Sequence, residues 1–323
     1  MKKKITLLAL ALMSVSILTA CSGGQSQVDE KTVVAIVKQL DHASMDEIAM
    51  ATEKQLKEKY ENVEVLQLSG QNDASTLAQM GAELVADEVD SIVPVGTLAA
   101  QQIVVATEGT DVPVIYTGVA DPELGGLVDI ENTTGVSHDV MTEFVLDMIF
   151  KVDSEVKTVG LLYSSSQINS LKPIEDAKAY LDAKGIAYVE KTGNTTDEII
   201  AAVNSMIDKV DVIFTPTDNI VMASELAIAE ILAENGVAHF TPADSFARNG
   251  AFVAAGVSFT EVGYKTADMV MEIVEGGEIG DYYKMTGDII TVNTETAEIL
   301  GIDYSVLQDM STTDIIEVQT TIN

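Results

Sequence analysis

Polar residues stand at the ends of apolar runs all along this chain. Gln39 and His42 follow the run 32–37, Gly96 and Thr97 follow 91–95, and Thr117 and Gly118 follow 112–116. In the second half, Tyr163 closes 158–163 with Ser165 and Asn169 just beyond it. Asp218 and Asn219 follow 212–215, and Asp244 follows 238–241. Several of these places open directly into a helical pattern. The first N–H groups of a helix attract an anion such as a carboxylate, and the Thr97 and Thr117 hydroxyls would add to that. Asp218 would face an ammonium. Together these partners suit a zwitterion. A desolvated charged contact of this kind is expected to be worth roughly 2–5 kcal/mol when one partner is removed.

Each of these residues also has a plainer reading. Thr97, Asp218 and Asn219 stand where helix N-caps stand, and capping alone would explain them. Asn169 could cap the helix that follows it. Asp244, like Asp121 before Pro122, could shape a turn. Tyr163 and Phe246 could wall an apolar pocket or pack in a core. His42, one of three histidines with His138 and His239, could be an ordinary packed residue. Nucleotide-loop, zinc-peptidase and serine-elbow motifs are absent from the sequence, and the histidines are far apart. No catalytic group, metal site or cofactor is therefore expected, and the protein reads as a binder, not an enzyme.

The elements that must position these residues alternate strictly. Strand patterns at 32–37, 63–68, 91–95 and 112–116 are separated by helical patterns at 45–59, 74–88 and 98–108. After a helix near 141–150 the order repeats. Strands at 158–163, 188–191, 212–215 and 238–241 alternate with helices at 171–184, 196–209 and 220–235. Gly185 and Gly236 sit where helices end. The halves echo each other: Lys31 matches Lys157, Asp90 matches Asp211 and Asp121 matches Asp244, at one lag of roughly 120 residues. Short apolar strands between helices predict parallel sheets covered on both faces with right-handed crossovers. The tail adds a strand at 252–257, a helix at 260–275, a strand at 289–292 and a short helix at 294–300. The chain is therefore expected to cross between two doubly wound, flavodoxin-like lobes more than once, near Val136–Ser137, Val257–Ser258 and Gly287–Ile290. Gly135-Val-Ser and Gly256-Val-Ser would form part of a multi-strand hinge. The expected division is 31–136 with 258–287 in one lobe and 137–257 with 288–323 in the other.

The N-terminus reads as an export signal. Lys2, Lys3 and Lys4 precede an apolar run from Ile5 to Leu18 that is too short to span a membrane. Leu18-Thr19-Ala20-Cys21 follows, and Cys21 is the only cysteine of the chain. This resembles a bacterial lipoprotein signal, which implies a leader over 1–20, lipidation of Cys21 and a flexible tether to residue 30. The protein would then be anchored to the cell membrane, facing out of the cytoplasm. A hydrophobic fraction of 47% excludes disorder, and a formal charge of −33 repels nucleic acid phosphate.

The whole chain resembles a type I periplasmic-binding-protein fold. More narrowly, it resembles the substrate-binding lipoproteins of ABC transporters in the tryptophan and tyrosine uptake group. The residues that carry the likeness are Val95-Gly96-Thr97, Thr117-Gly118-Val119-Ala120-Asp121-Pro122, Gly135-Val136-Ser137, Gly160-Leu161-Leu162-Tyr163 with Asn169-Ser170, Pro216-Thr217-Asp218-Asn219 and Gly301-Ile302. Where that group tends to carry an acidic residue before Asn169, this chain has Gln167-Ile168. The resemblance implies a monomeric receptor that closes on a small amino acid, an aromatic one, and passes it to a permease. Sugar or nucleoside binding is the alternative, as is a surface sensor or adhesion role. Sugar sites stack rings on aromatics, and this chain has no Trp, nine Tyr and seven Phe.

Overall fold

The computed structural model describes residues 31–320; the leader, Cys21 and the tether expected at 1–30 lie outside the described residues. The run Thr-Val-Val-Ala-Ile-Val, rich in β-branched residues, makes β1 (Thr32–Lys38). It lies between β2 (Val63–Ser69) and β3 (Ser91–Val95). Then come β4 (Val114–Val119), β5 (Thr133–His138) and a late strand, β11 (Tyr283–Met285), all parallel. Side chains along β1 alternate between two helix layers, as a pleated strand requires. Val34 and Ile36 pack with Ile48 and Leu56 of α1 (Ala43–Lys59) and with Val262 and Val270 of α9 (Phe259–Val274). Ala35 and Val37 pack with Leu77 and Leu84 of α2 (Ala74–Ala86) and with Ile103 of α3 (Thr97–Ala106).

The second sheet repeats this winding. β6 (Thr158–Tyr163) lies between β7 (Ala187–Thr192) and β8 (Val212–Phe214), followed by β9 (Ala238–Thr241) and β10 (Val253–Gly256). Both sheets thus show the 2-1-3-4-5 flavodoxin order. β12 (Ile289–Asn293) adds antiparallel to β10, and β13 (Ile316–Val318) adds parallel to β12. Leu162 and Ile213 meet Ile199 and Val203 of α6 (Thr196–Met206) and Val221 and Ile228 of α7 (Asn219–Glu234). On the other face, Leu161 and Phe214 meet Val145 of α4 (Thr142–Val152) and Ile174 of α5 (Ile168–Lys184). Two short helices, α8 (Asp244–Arg248) and α10 (Thr294–Leu300), complete this lobe.

The chain leaves the first sheet after β5, returns after β10 and leaves again between β11 and β12. β11, β13 and α8 were not read from the sequence. The two strands are only three residues long, and their exposed residues carry no alternating pattern. β5 pairs with β4 as far as Ser137 and with β11 as far as His138, further than a hinge strand starting at Gly135 would suggest. Gly135 is there for a packing reason. A Cβ at that position would lie 2.2 Å from the Tyr116 carbonyl oxygen and 2.4 Å from its ring. The backbone oxygen cannot swing aside, so Gly135→Ala should cost about 1–3 kcal/mol. For a protein of this size the melting temperature should fall by roughly 2–10 °C. Gly280→Ala, where nothing lies within 4 Å, is the control and should melt with the wild type. Circular dichroism melts check both; coincident curves for Gly135→Ala would refute the close packing.

Candidate functional site

The carboxyl ends of the two parallel sheets point at each other, the place where open α/β sheets bind ligands. The first lobe contributes His42, Ser44, Met45 and Ile48 from the start of α1, then Val95, Gly118, Ala120, His138 and Phe259. The second contributes Asn169, Thr217, Asp218, Asn219, Met222, Ala243 and Phe246. They enclose a cavity of about 30 Å³, room for a few waters at most, and around it the lobes are in direct contact.

A run of amides and one imidazole joins the lobes. Gln39 Nε2 donates to Asn72 Oδ1 at 2.7 Å and to Gln167 Oε1 of the other lobe at 3.0 Å. Asn219 Nδ2 donates to the same Gln167 oxygen at 2.9 Å. Asn219 Oδ1 in turn lies 3.2 Å from His42 Nε2. The other His42 nitrogen caps α1 by accepting from the Met45 N–H. That pattern fits a neutral ring protonated on Nε2. Burial agrees, pushing His42 down to about 4 from the usual 6.5. The Ser44 and Ser245 hydroxyls also meet across the lobes at 2.5 Å. One apolar cluster spans the gap as well, with Met45, Ile48 and Phe259 on one side and Met222, Ala243 and Phe246 on the other.

Asp218 is fully buried and caps α7. Oδ1 accepts from the Ile220 and Val221 N–H groups, while Oδ2 accepts from the Ser164 N–H and the Ser170 hydroxyl. Burial pushes its carboxyl up against the pull of these bonds. Among the described residues no Lys or Arg lines the void. At the rim, burial and the charge of Asp244 hold the Glu47 carboxyl above its usual range, against two hydrogen bonds from Thr260.

Of the residues picked from the sequence, His42, Gly118, Asn169, Asp218 and Asn219 come together on the void. The others are held elsewhere. Gln39 lies just outside, seated on Gly96, and its Oε1 accepts the Leu98 N–H at the start of α3. That bond occupies one of the main-chain N–H groups that were expected, together with the Thr97 hydroxyl, to hold an incoming carboxylate, and Thr97 itself is buried. Thr117 is buried and bonded to Thr266 of α9 at 2.8 Å. Tyr163 packs with Ile174 and Ala177 under α5 and hydrogen-bonds Glu190. Ser165 is exposed beside Asn194. Asp244 pairs with Arg248 at 3.1 Å. Sequence reading missed Gln167, whose amide joins the two lobes, and His138, which it set aside as isolated. No local signal marks either residue, because β5 brings His138 to the cleft only through the sheet.

Comparison with known proteins agrees with this architecture. The family described as ABC transporter substrate binding protein matches residues 33–310. A tyrosine-binding protein of Clostridioides difficile is 28% identical over 320 residues, covering 93% of this chain and 92% of its own. A Streptococcus pneumonia ABC domain in complex with L-Trp is 26% identical, covers 89% of this chain and 99% of its own, and superposes with a TM-score of 0.81. A ligand-free, open substrate binding protein with adhesive properties from Clostridium difficile is also 26% identical and covers 90% of this chain and 100% of its own, yet superposes at 0.66. At equal identity, the arrangement here is nearer to the liganded relative than to the open one. Among the described residues no helix is long and apolar enough to cross a membrane. With two flavodoxin-like lobes meeting at their strand ends and a family match over most of its length, the chain belongs to the ABC transporter substrate binding proteins.

Proposed function

We propose that the cleft takes a small amino acid with an aromatic side chain, of the tyrosine or tryptophan kind, and that the loaded protein delivers it to an ABC permease. One observation carries this reading. A buried carboxylate, Asp218, stands at the void with no Lys or Arg among the described lining residues, beside apolar walls from Met45, Ile48, Met222, Phe246 and Phe259. Its four hydrogen bonds keep it oriented, and a carboxylate at the void would be stabilised in its charged form by a cationic group nearby. The names of the tyrosine-binding relative and of the L-Trp complex point the same way. The three crossings between sheets would serve as the hinge, and Cys21 would carry the lipid that holds a monomer at the membrane. Neither the fold nor this wall chemistry calls for turnover. A surface role beside transport is supported by the relative with adhesive properties.

A thermal-shift screen of residues 22–323 against amino acids, sugars and nucleosides tests the ligand class. A true ligand at 100 times its Kd should stabilise by about 2.7 kcal/mol. The propionic acid analogue that lacks only the amine should bind at least about 30-fold more weakly. Equal shifts from the amino acid and its deaminated analogue would refute the role given to Asp218.

Acid should weaken binding. Burial pushes both His42 and His138 down to about 4 from 6.5. Above pH 6.5 both rings are neutral whether the cleft is open or closed, so affinity should be level there. Below it, rings exposed in the open state take protons that the closed state refuses, so closure loses up to about tenfold per pH unit for each ring, down to pH 4. Calorimetric titrations at pH 7.5 and 5.5 should differ by at least tenfold. Melting temperature is a poorer readout, because acid also relieves the large negative charge. Identical affinity at both pH values would mean that the rings stay buried when the cleft opens.

A further inference from the structure

Closing the cleft leaves hydrogen-bonding capacity spare at two points of its wall. His138, the last residue of β5, is 3% exposed, and neither of its ring nitrogens has a partner among the described residues. Across the void, the buried Thr217 hydroxyl is equally unpartnered. Both residues line the cavity. Every other polar side chain there has at least one partner. His42 has Asn219 and the Met45 N–H, Ser44 has Ser245, Asn169 has the Thr217 carbonyl, and Asp218 has four donors. Leaving a buried donor or acceptor unmatched is costly, and native interiors leave few. The edge of His138 meets the Phe259 ring, with centroids 5.4 Å apart and planes at 80°, so its polar atoms sit beside an aromatic wall.

We propose that His138 and Thr217 are the specificity-determining pair of this cleft and hydrogen-bond a hydroxyl on the ligand's side chain. The inference rests on the amino acid reading and narrows it from aromatic to hydroxylated aromatic. A neutral imidazole offers one donor and one acceptor, and a threonine hydroxyl offers both. A phenol can give to one and take from the other. A carboxylate could engage the pair only through its donors and an ammonium only through its acceptors, whereas a hydroxyl engages both kinds. The two residues belong to opposite lobes, so a hydroxyl held by both also rewards closure. Phenylalanine would leave buried polar atoms bare, which is the situation that gives hydroxyl-reading sites their discrimination.

The test compares Kd values for L-tyrosine and L-phenylalanine by calorimetry on the full chain and on His138→Leu, His138→Gln and Thr217→Val. The wild type should prefer tyrosine by at least about tenfold. His138→Leu and Thr217→Val should each bring the ratio toward one, mainly by weakening tyrosine. His138→Gln, which keeps a donor and an acceptor, should retain part of the preference. A merely structural role would lower both affinities together and leave the ratio intact. Should His138→Leu not fold, Thr217→Val on the other lobe decides alone. An unchanged ratio in the folded variants overturns this pair and leaves the amino acid reading standing. A wild type that binds neither ligand overturns both.

Discussion

Two parallel sheets that face each other end-on create a problem of hydrogen-bond satisfaction. Their carboxyl ends carry the polar side chains that terminate strands and start helices, and closure strips water from them. Each group must then find a partner inside the protein or bear a desolvation cost of about 1–3 kcal/mol. The chain Asn72, Gln39, Gln167, Asn219 and His42 answers most of this demand with neutral groups. Neutral partners suit a dry seam, because an ion pair there must first offset a desolvation cost of several kcal/mol per ion. The same requirement fixes the tautomer of His42 and holds its ring uncharged.

The seam also explains how the lobes can be shut without being locked. Each amide bond across the lobes nets only about 0.5–1.5 kcal/mol over its hydrated alternative. The apolar contacts from Met45, Ile48 and Phe259 to Met222 and Phe246 add burial that scales with area. Against them stands the proximity of Glu47 to Asp244, two carboxylates that closure brings together. Opposing contributions of a few kcal/mol each are what a two-state hinge needs, since a ligand shifts such a balance only by its differential affinity.

Much of the fold was legible because the signals are local and repeated. Apolar strands of five to seven residues, Gly185 closing α5 in the left-handed region and a second half echoing the first do not depend on distant contacts. β11 and β13 were missed for the opposite reason, being short edge strands recruited by their sheets. The cleft was legible only in outline. Strand ends predicted where polar residues would gather, and five of those picked reach the void. Whether a hydroxyl faces the void or a neighbouring helix is set by packing. Thr117 turns to Thr266 and Tyr163 to Glu190 because α9 and β7 lie against them. Gln167 and His138 were overlooked because an amide and a lone imidazole mean little until their surroundings are known.

The cavity has room for a few waters at most, so admitting an amino acid with an aromatic side chain would require the lobes to part and then close less far. The contacts broken first must be those that the ligand itself can replace. Gln39 to Gln167 lies outside the void, whereas Asn219 to His42 lies on its wall. A guest in the void therefore displaces the inner contact and leaves the outer amide pair able to re-form as the closing latch. Asp218 is bound from four directions, all within its own lobe, so none of its hydrogen bonds crosses the cleft. On the proposed reading, the lobe that carries Asp218 would be the one to receive the amine while the cleft is open. The other lobe, with its neutral imidazoles and apolar side chains, completes the wall on closure.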